Sequence, residues 1–148
     1  TNNPALAMSE NGYRITLSQP GFGEEPGHIY SEQPYQGKGL DTAVKAALSQ
    51  LPEPVTISTV FSSMNGEHYW AKEFGVAMTR SSHRLAHFKH EHPADCYGDL
   101  GAATGGALIA LAALNCLTSS TPTNALVCTS SDSAYRAAIG VIPERISV

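Results

Sequence analysis

The chain has 148 residues, of which 42% are hydrophobic and 15% are charged, and its formal net charge is −4. This length is sufficient for a single domain with its own core, and the scattered Lys and Arg residues argue against a nucleic-acid-binding surface. The widely spaced Cys96, Cys116 and Cys128 argue against a disulfide framework and favour a reducing, cytoplasmic location. No apolar run reaches the roughly 18–20 residues of a membrane span, and no signal-peptide pattern opens the sequence.

The first third of the chain predicts a strand, a long loop and a helix. Residues 1–12 are polar and indicate a tail or linker, and residues 13–17 alternate in polarity like a strand. Residues 18–39 are rich in Gly, Pro and Glu and have no period, so we expect a long loop that is functional or lies across a neighbour. Residues 40–51 carry apolar side chains at helical spacing and end at Pro52.

The following segments continue the alternation of strands and helices. Residues 55–61 are mostly β-branched, as in a central strand, and residues 66–79 predict a second helix. Residues 86–92 indicate a short strand. Near the end of the chain, residues 124–129 and 135–142 predict two strands that pair through a short Ser- and Asp-containing turn. The mixture of strands and helices predicts the α/β class with a mixed sheet.

The segment from residue 92 to residue 117 predicts the central helix of this fold. Asp99 is placed to cap the N-terminus of the helix, because its carboxylate can accept from free backbone amides. Residues 107–117 are apolar all round, which predicts a helix buried on every side, although an ordinary packing helix is the alternative. Four glycines, each weakening a helix by roughly 0.5–1 kcal/mol, indicate close approach of the backbone to something else. They are Gly98, Gly101, Gly105 and Gly106.

Polar side chains follow the central strand and precede the central helix. Ligands bind at such strand-to-helix loops in α/β sheets, so we expect the two loops to converge and to hold acid, base and thiol groups. The candidate catalytic residues are Glu67, His68, Cys96 and Asp99. The candidate substrate-binding residues are Asn65, Gly66, Asp95, Gly98 and Gly101.

Two of these candidates have competing interpretations. A helix N-terminus lowers the pKa of a thiol such as Cys96, whereas the neighbouring Asp95 and Asp99 raise it. Glu67 and Asp99 are also suited to a purely structural role as helix caps.

A run of four histidines, at positions 83, 87, 90 and 92, lies between the predicted second helix and the central helix. A structural zinc site requires three or four closely spaced ligands, and neither a Cys-x-x-Cys nor a His-Glu-x-x-His pattern accompanies the run. An extended segment would place the imidazoles of His90 and His92 on one face. We therefore expect a solvated loop, and neither a metal nor another cofactor.

Residues 98–105, which read Gly-Asp-Leu-Gly-Ala-Ala-Thr-Gly, resemble the second-histidine region of the β-ketoacyl synthases of the thiolase superfamily. In that family the loop reads Gly-His-x-x-Gly-Ala-Ala-Gly, and Asp99 here takes the place of the histidine. Residues 62–68 correspond to the family's first-histidine loop, but its histidine is absent in register and His68 lies nearby. Residues 129–136 correspond to the closing strand pair and lack its Gly and Phe residues.

The resemblance extends over residues 13–148 and implies a thiolase-like C-terminal half with a Gly/Ala-rich central helix. It implies a binding or scaffolding module without standard condensing activity. The alternative is half of an acyl-transfer or condensing enzyme whose nucleophilic Cys lies on a missing N-terminal half or partner chain. The implied partners are that other half, further copies in an oligomer, and an acyl carrier protein or acyl-CoA, with no nucleic acid and no membrane. An uncovered helix at residues 101–117 would expose an apolar patch that drives association.

Overall fold

The computed structural model describes residues 12–81, 85 and 87–146, and it has the predicted α/β class with a mixed sheet. Residues 1–11 of the predicted tail lie outside this range. Six strands are described: β1 (Tyr13–Leu17), β2 (Gly21–Glu24), β3 (Thr59–Ser62), β4 (Lys89–Glu91), β5 (Ala125–Ser130) and β6 (Tyr135–Arg145). The helices described are α1 (Gly39–Ser49), α2 (His68–Arg80), the short α3 (Ala94–Tyr97) and α4 (Thr104–Thr118).

The sheet combines a parallel and an antiparallel region. Its order is β1-β6-β5-β3-β4, and β2 also pairs with β6. Strand β3 runs parallel to both β4 and β5, whereas β6 runs antiparallel to β5, β1 and β2. The carboxyl ends of β3, β4 and β5 therefore meet at one edge of the sheet, where ligands bind in α/β folds.

The long loop predicted at residues 18–39 is wrong in part, because it contains β2. Gly21 and Gly23 contribute to the Gly-rich composition from which the loop is predicted. In the structure they bring β2 against the backbone of α1, where a Cβ on Gly21 would overlap the carbonyl oxygen of Ala43 and one on Gly23 that of Gly39. Phe22, between them, consequently points to the opposite face of the sheet.

One face of the sheet, which we call the closed face, is covered by α1 and α2. Its core joins apolar side chains of these helices to alternate positions of the strands, as the two-residue period of a strand requires. The strand members are Val60, Leu126, Cys128 and Ala138, and the helical members include Val44, Leu48 and Ala77. The helices predicted at residues 40–51 and 66–79 are thus confirmed, with shifts of one or two residues at their ends.

The other face, which we call the open face, is covered by α4 alone among the described helices that pack on the sheet. The prediction that this helix is buried on every side is wrong for the chain by itself. Leu108, Ala112 and Cys116 are buried against the strands, whereas Leu114 is 59% exposed and Ala110 is also exposed. The helix has an apolar outer side because its sequence contains no charged residue, and no other part of the described chain covers it.

The start of α4 also differs from the prediction. The α-helix begins at Thr104, after a 3-10 turn at Gly101–Ala103, and no side chain caps it. The carboxylate of Asp99 instead accepts from the N–H of Gly101 at 2.7 Å. Asp99 therefore stabilises the turn that leads into the helix.

The uncharged segment that includes α4 is longer than the apolar run predicted from the sequence. Together with its leading turn it spans Gly101–Thr118, which is 18 residues and long and apolar enough to cross a membrane by length and composition alone. Only 17% of this segment is buried within the chain, and its buried residues Leu108, Ala112 and Cys116 belong to the core on the sheet's open face, where α4 forms one layer of the α/β fold.

The open face is also uncovered where β1, β2 and the start of β6 lie. Ile15 of β1 and Ile139 of β6 pack in the core under α4. Residues an even number of positions away on the same strand therefore also point to the open face. These residues include Leu17 and Tyr135, which are exposed, as is Phe22 of β2. Two helices thus cover the closed face, whereas one helix and an exposed apolar strip make up the open face.

A candidate functional site at the carboxyl edge of the sheet

An open cleft with a volume of about 770 Å³ lies at the carboxyl ends of β3 and β5. A volume of several hundred Å³ is typical of small-molecule sites. The residues that line the cleft are Phe22, Tyr30, Ser63, Asn65, Trp70, Asp99, Gly101, Ala102, Thr104, Gly105, and residues 129–133 and 135–137. The loops after β3 and β5 and the start of α4 therefore converge, as expected for strand ends at a common edge.

Three of the predicted site residues line this cleft, namely Asn65, Asp99 and Gly101. Glu67 lies close to it, because its charge adds to that of Asp132 in raising the pKa of Tyr30, with Asp132 the larger influence. The two loops that converge on the cleft, and part of the cleft wall, were therefore predicted from the sequence.

The other predicted site residues do not line the cleft. Cys96 is exposed on the short helix α3, and the preceding Asp95 lies 2.8 Å from Nδ1 of His92. The remaining three, which are His68, Gly66 and Gly98, also lie outside the lining. Within the described part of the chain, no hydrogen bond joins any two of the four proposed catalytic side chains.

Asp99 and the neighbouring glycines shape the loop that enters α4. Oδ1 of Asp99 accepts from the N–H of Gly101 and, at 3.3 Å, from the hydroxyl of Thr104. Gly98 and Gly101 have φ angles of +80° and +56°, which favour glycine over any residue with a Cβ. At the other loop, Glu67 occupies the N-cap position of α2 but makes no capping bond with its side chain.

A buried ion pair beneath the cleft was not predicted. Nε of Arg136 lies 2.6 Å from Oε1 of Glu73, and both side chains are almost fully buried. The hydroxyl of Ser130 donates to the other carboxylate oxygen, and Arg136 also donates to the carbonyls of Ser131 and Ser133. The pair therefore holds the turn between β5 and β6 against α2. No local sequence signal identifies it, because its members are 63 positions apart.

A second buried carboxylate, that of Glu25, fixes the loop that carries Tyr30. Burial by itself raises the pKa of Glu25, but hydrogen bonds from backbone N–H groups lower it below its ordinary value of 4.5. The donors are Lys38 at 2.8 Å, Gly39 and Gln36 at 3.1 Å, and Gly27 at 3.3 Å. Glu25 therefore ties both ends of the loop together and brings Tyr30 to the cleft, where its hydroxyl donates to Asp132 at 3.3 Å.

The histidine run contributes a half-buried ring, that of His90. Nε2 of His90 lies 2.8 Å from the hydroxyl of Ser62, and the His90 ring stacks on Phe74. Burial, with a smaller contribution from His92, lowers the pKa of His90 to about 4, so the ring is neutral at pH 7. His83 lies outside the described residues, and among those that are described no three His, Cys, Asp or Glu side chains form a metal-binding group.

In comparisons with known proteins, no family model and no curated protein matches this chain. The open face, the cleft and the motif resemblance are therefore the features that bear on function. The cleft wall contains hydroxyl, carboxylate, amide, guanidinium and aromatic groups, and no Cys or His side chain of the described residues lines it.

Proposed function

We propose that this chain is a β-ketoacyl synthase-like half-domain that acts as a binding module by docking a second thiolase-like α/β half on its open face. The second half is either an N-terminal segment of the same protein or a partner chain. The observation that carries the proposal is the unequal covering of the sheet, in which α4 and an apolar strip stay exposed on one side only.

The chemistry of the open face supports an interface between two protein layers. Helix α4 has no charged side chain along its 15 residues, and Leu114 is among the most exposed leucines of the chain. The strip beside it exposes Leu17, Phe22 and Tyr135. Exposed apolar surface that is continuous over a helix and a neighbouring strand face marks an interaction site in soluble proteins.

A helix from another α/β layer is the occupant that this surface fits best. Among the described elements, α4 is the one helix on the open face and an exposed strip lies beside it, whereas two helices cover the closed face. Gly106, on the outer side of α4, has nothing within 4 Å of the position that a Cβ would take, so no contact inside the described chain requires a glycine there. A glycine at such a position allows a partner backbone to approach closely. The thiolase-like resemblance supports the same occupant, because the halves of that family pack together.

The geometry of the motif positions supports binding without condensation. Asp99, which replaces the family's second histidine, uses one carboxylate oxygen to hold the Gly101 turn. His68, the histidine nearest to the first motif, is exposed and lies outside the cleft wall. Neither position therefore brings an imidazole into the cleft wall, where general acid–base chemistry or carbonyl polarisation would use it.

The alternative, half of an acyl-transfer or condensing enzyme, is favoured by one observation. The cleft lies at the strand edge where α/β enzymes bind substrates, and its volume suits a small molecule. In that case the nucleophilic Cys would come from the other half, and the substrate would arrive on an acyl carrier protein or as acyl-CoA. Thioester hydrolysis by the purified assembly, abolished by alkylation of a partner Cys, would support this alternative over a purely binding role.

Sedimentation velocity of the purified protein and its variants tests the docking proposal. Leu114→Glu places a charge on the exposed outer side of α4 and is expected to weaken association with the second half, or self-association of the isolated chain, at least about tenfold. Thr79→Glu, which adds the same charge on the exposed side of α2 over the closed face, is the control and should leave association unchanged.

The control decides how a loss is interpreted. If both variants associate like the parent protein, the open face is not the interface and the proposal fails. If the parent protein binds detergent micelles or vesicles through α4 instead of protein, a membrane surface is the occupant and the proposal is also wrong.

A further inference from the structure

The charges around the cleft are unbalanced. Asp99 and Asp132 line its wall, and Glu67 lies near enough to influence Tyr30. Within the described ranges, none of these three carboxylates forms an ion pair. Among the residues that the structure describes, no Lys side chain lines the cleft and Arg136 is the one Arg in its wall.

The charge of Arg136 is not available to a ligand. Its guanidinium is bonded to Glu73, to three backbone carbonyls and to the hydroxyl of Tyr69, and it lies over the ring of Trp70 at 5.5 Å. The residue is only 2% exposed. Because the buried pair with Glu73 is neutral overall, the potential in the cleft is set by the carboxylates at its mouth.

Three aromatic rings line the same cleft with much of their surface in solvent. Tyr30 is 77% exposed, and Phe22 and Tyr135 are each 68% exposed. The face of an aromatic ring attracts cations, and carboxylates beside such rings are the usual companions in sites for organic ammonium groups. The raised pKa of Tyr30, caused first by Asp132, is consistent with negative potential at this wall.

We propose that the cleft binds an organic ammonium cation, held by the carboxylates of Asp99 and Asp132 and by the ring faces of Tyr30 and Tyr135. One oxygen of Asp99 is engaged by Gly101, and the other is free to accept from or pair with the ligand. The same charges disfavour an anionic ligand such as the phosphates of coenzyme A. This inference uses only groups of this chain, and it concerns the isolated chain, because Phe22 and Tyr135 also belong to the exposed strip that a docked second half would cover.

Isothermal titration calorimetry with a matched pair of ligands tests the proposal. Choline carries a trimethylammonium group, and 3,3-dimethylbutan-1-ol has the same shape with a carbon in place of the charged nitrogen. We expect choline to bind the parent protein at least about fivefold more tightly than the neutral alcohol, as a cation–π and carboxylate site requires. Coenzyme A should show no binding, and choline affinity should fall as salt concentration rises.

Two pairs of variants locate the site. Asp132→Asn is expected to weaken choline binding about three- to tenfold, whereas Asp95→Asn, which makes the same change of charge outside the cleft, should not. Tyr135→Leu should weaken it about two- to fivefold, and Tyr97→Leu, at an exposed tyrosine outside the cleft wall, serves as the control.

The outcomes separate this proposal from the docking proposal. The ammonium-binding proposal is wrong if choline binds no more tightly than the neutral alcohol, or if choline does not bind at tens of millimolar. It is also wrong if coenzyme A binds preferentially, or if the variants and their controls lose equal affinity for choline. Leu114→Glu, on the outer side of α4, should leave choline binding intact even where it abolishes association. Conversely, Asp132→Asn should leave association intact.

Discussion

The two faces of the sheet are built from similar strands but are stabilised differently. On the closed face, α1 and α2 bury an apolar core, and polar contacts there include the buried Glu73–Arg136 pair and the partly buried Ser62–His90 hydrogen bond. On the open face, α4 buries one stripe of side chains and leaves its other side exposed. The difference shows that the closed face is complete within the chain, whereas the open face has the composition of a core without the second layer.

The largest expected effect is the loss of the buried ion pair on the closed face. Glu73→Leu leaves the guanidinium of Arg136 buried without its partner, so we expect the free energy of unfolding to fall by about 3–5 kcal/mol. Urea denaturation of the variant and the parent protein measures this change in the free energy of unfolding. The double variant Glu73→Leu/Arg136→Met should recover most of the loss, and Glu67→Leu, at an exposed glutamate that begins the same helix, should have little effect. Equal stabilities of the first and last variants would contradict the account.

Two leucines of α4 compare its two sides directly. Leu108→Ala removes a buried side chain and should lower the free energy of unfolding by about 2–5 kcal/mol. Leu114→Ala, at an exposed position one and a half turns further along the helix, should change it by less than about 0.5 kcal/mol in the isolated chain. In the assembly with a second half, the cost of Leu114→Ala should grow. A large cost in the isolated chain would mean that the outer side of α4 is already covered.

The closed face should also show a pH dependence that depends on His90. The pKa of His90 in the folded chain, about 4, lies below its ordinary value of 6.5, so the unfolded chain binds the proton more tightly. This contribution to stability is present above pH 6.5 and is lost as the pH falls from 6.5 towards 4, by about 1–2 kcal/mol. Urea denaturation between pH 7 and pH 4.5 should show the loss, and His90→Gln should reduce it. If the free energy of unfolding of His90→Gln falls as steeply with pH as that of the parent protein, other groups cause the pH dependence.

The smallest expected effect is that of a substitution at Gly106, which should change the stability of the isolated chain and the docking of a second half in opposite directions. Gly106→Ala adds a methyl group that meets nothing within the described chain, so it should stabilise the isolated chain by about 0.5 kcal/mol. The same methyl group should weaken docking of a second half if the partner backbone approaches α4 closely. Thermal denaturation of the isolated chain and titration of the assembly measure the two effects. Destabilisation of the isolated chain would contradict the open position of this glycine.

Much of the fold was predictable because its signals are local. The period of residues 40–51 and the β-branched run after residue 55 identify α1 and β3, although the regular strand is shorter than the run. Strand β2 was missed because Gly21 and Gly23 look like turn residues unless the helix that they contact is known. The all-apolar pattern of α4 indicates a helix that avoids water, but it cannot indicate whether the cover comes from the same chain.

The site was predictable only in part for a similar reason. Strand ends and turn residues located the loops that hold Asn65 and Asp99, and the long loop was expected to be functional. Its Tyr30 reaches Asp132, which is 102 positions away, and such a contact has no local signature. Cys96 was interpreted as close to a helix N-terminus, but the short helix α3 carries it away from the cleft wall.

The most direct test of the open face as a docking surface is site-specific photo-crosslinking in the purified assembly. A photoreactive residue at Ala110, on the exposed side of α4, is compared with one at Thr79, on the exposed side of α2. The account predicts that position 110 crosslinks to a helix of a second α/β half and that position 79 does not. Crosslinking at position 79 alone, or at neither position in an assembly that remains intact, would contradict it.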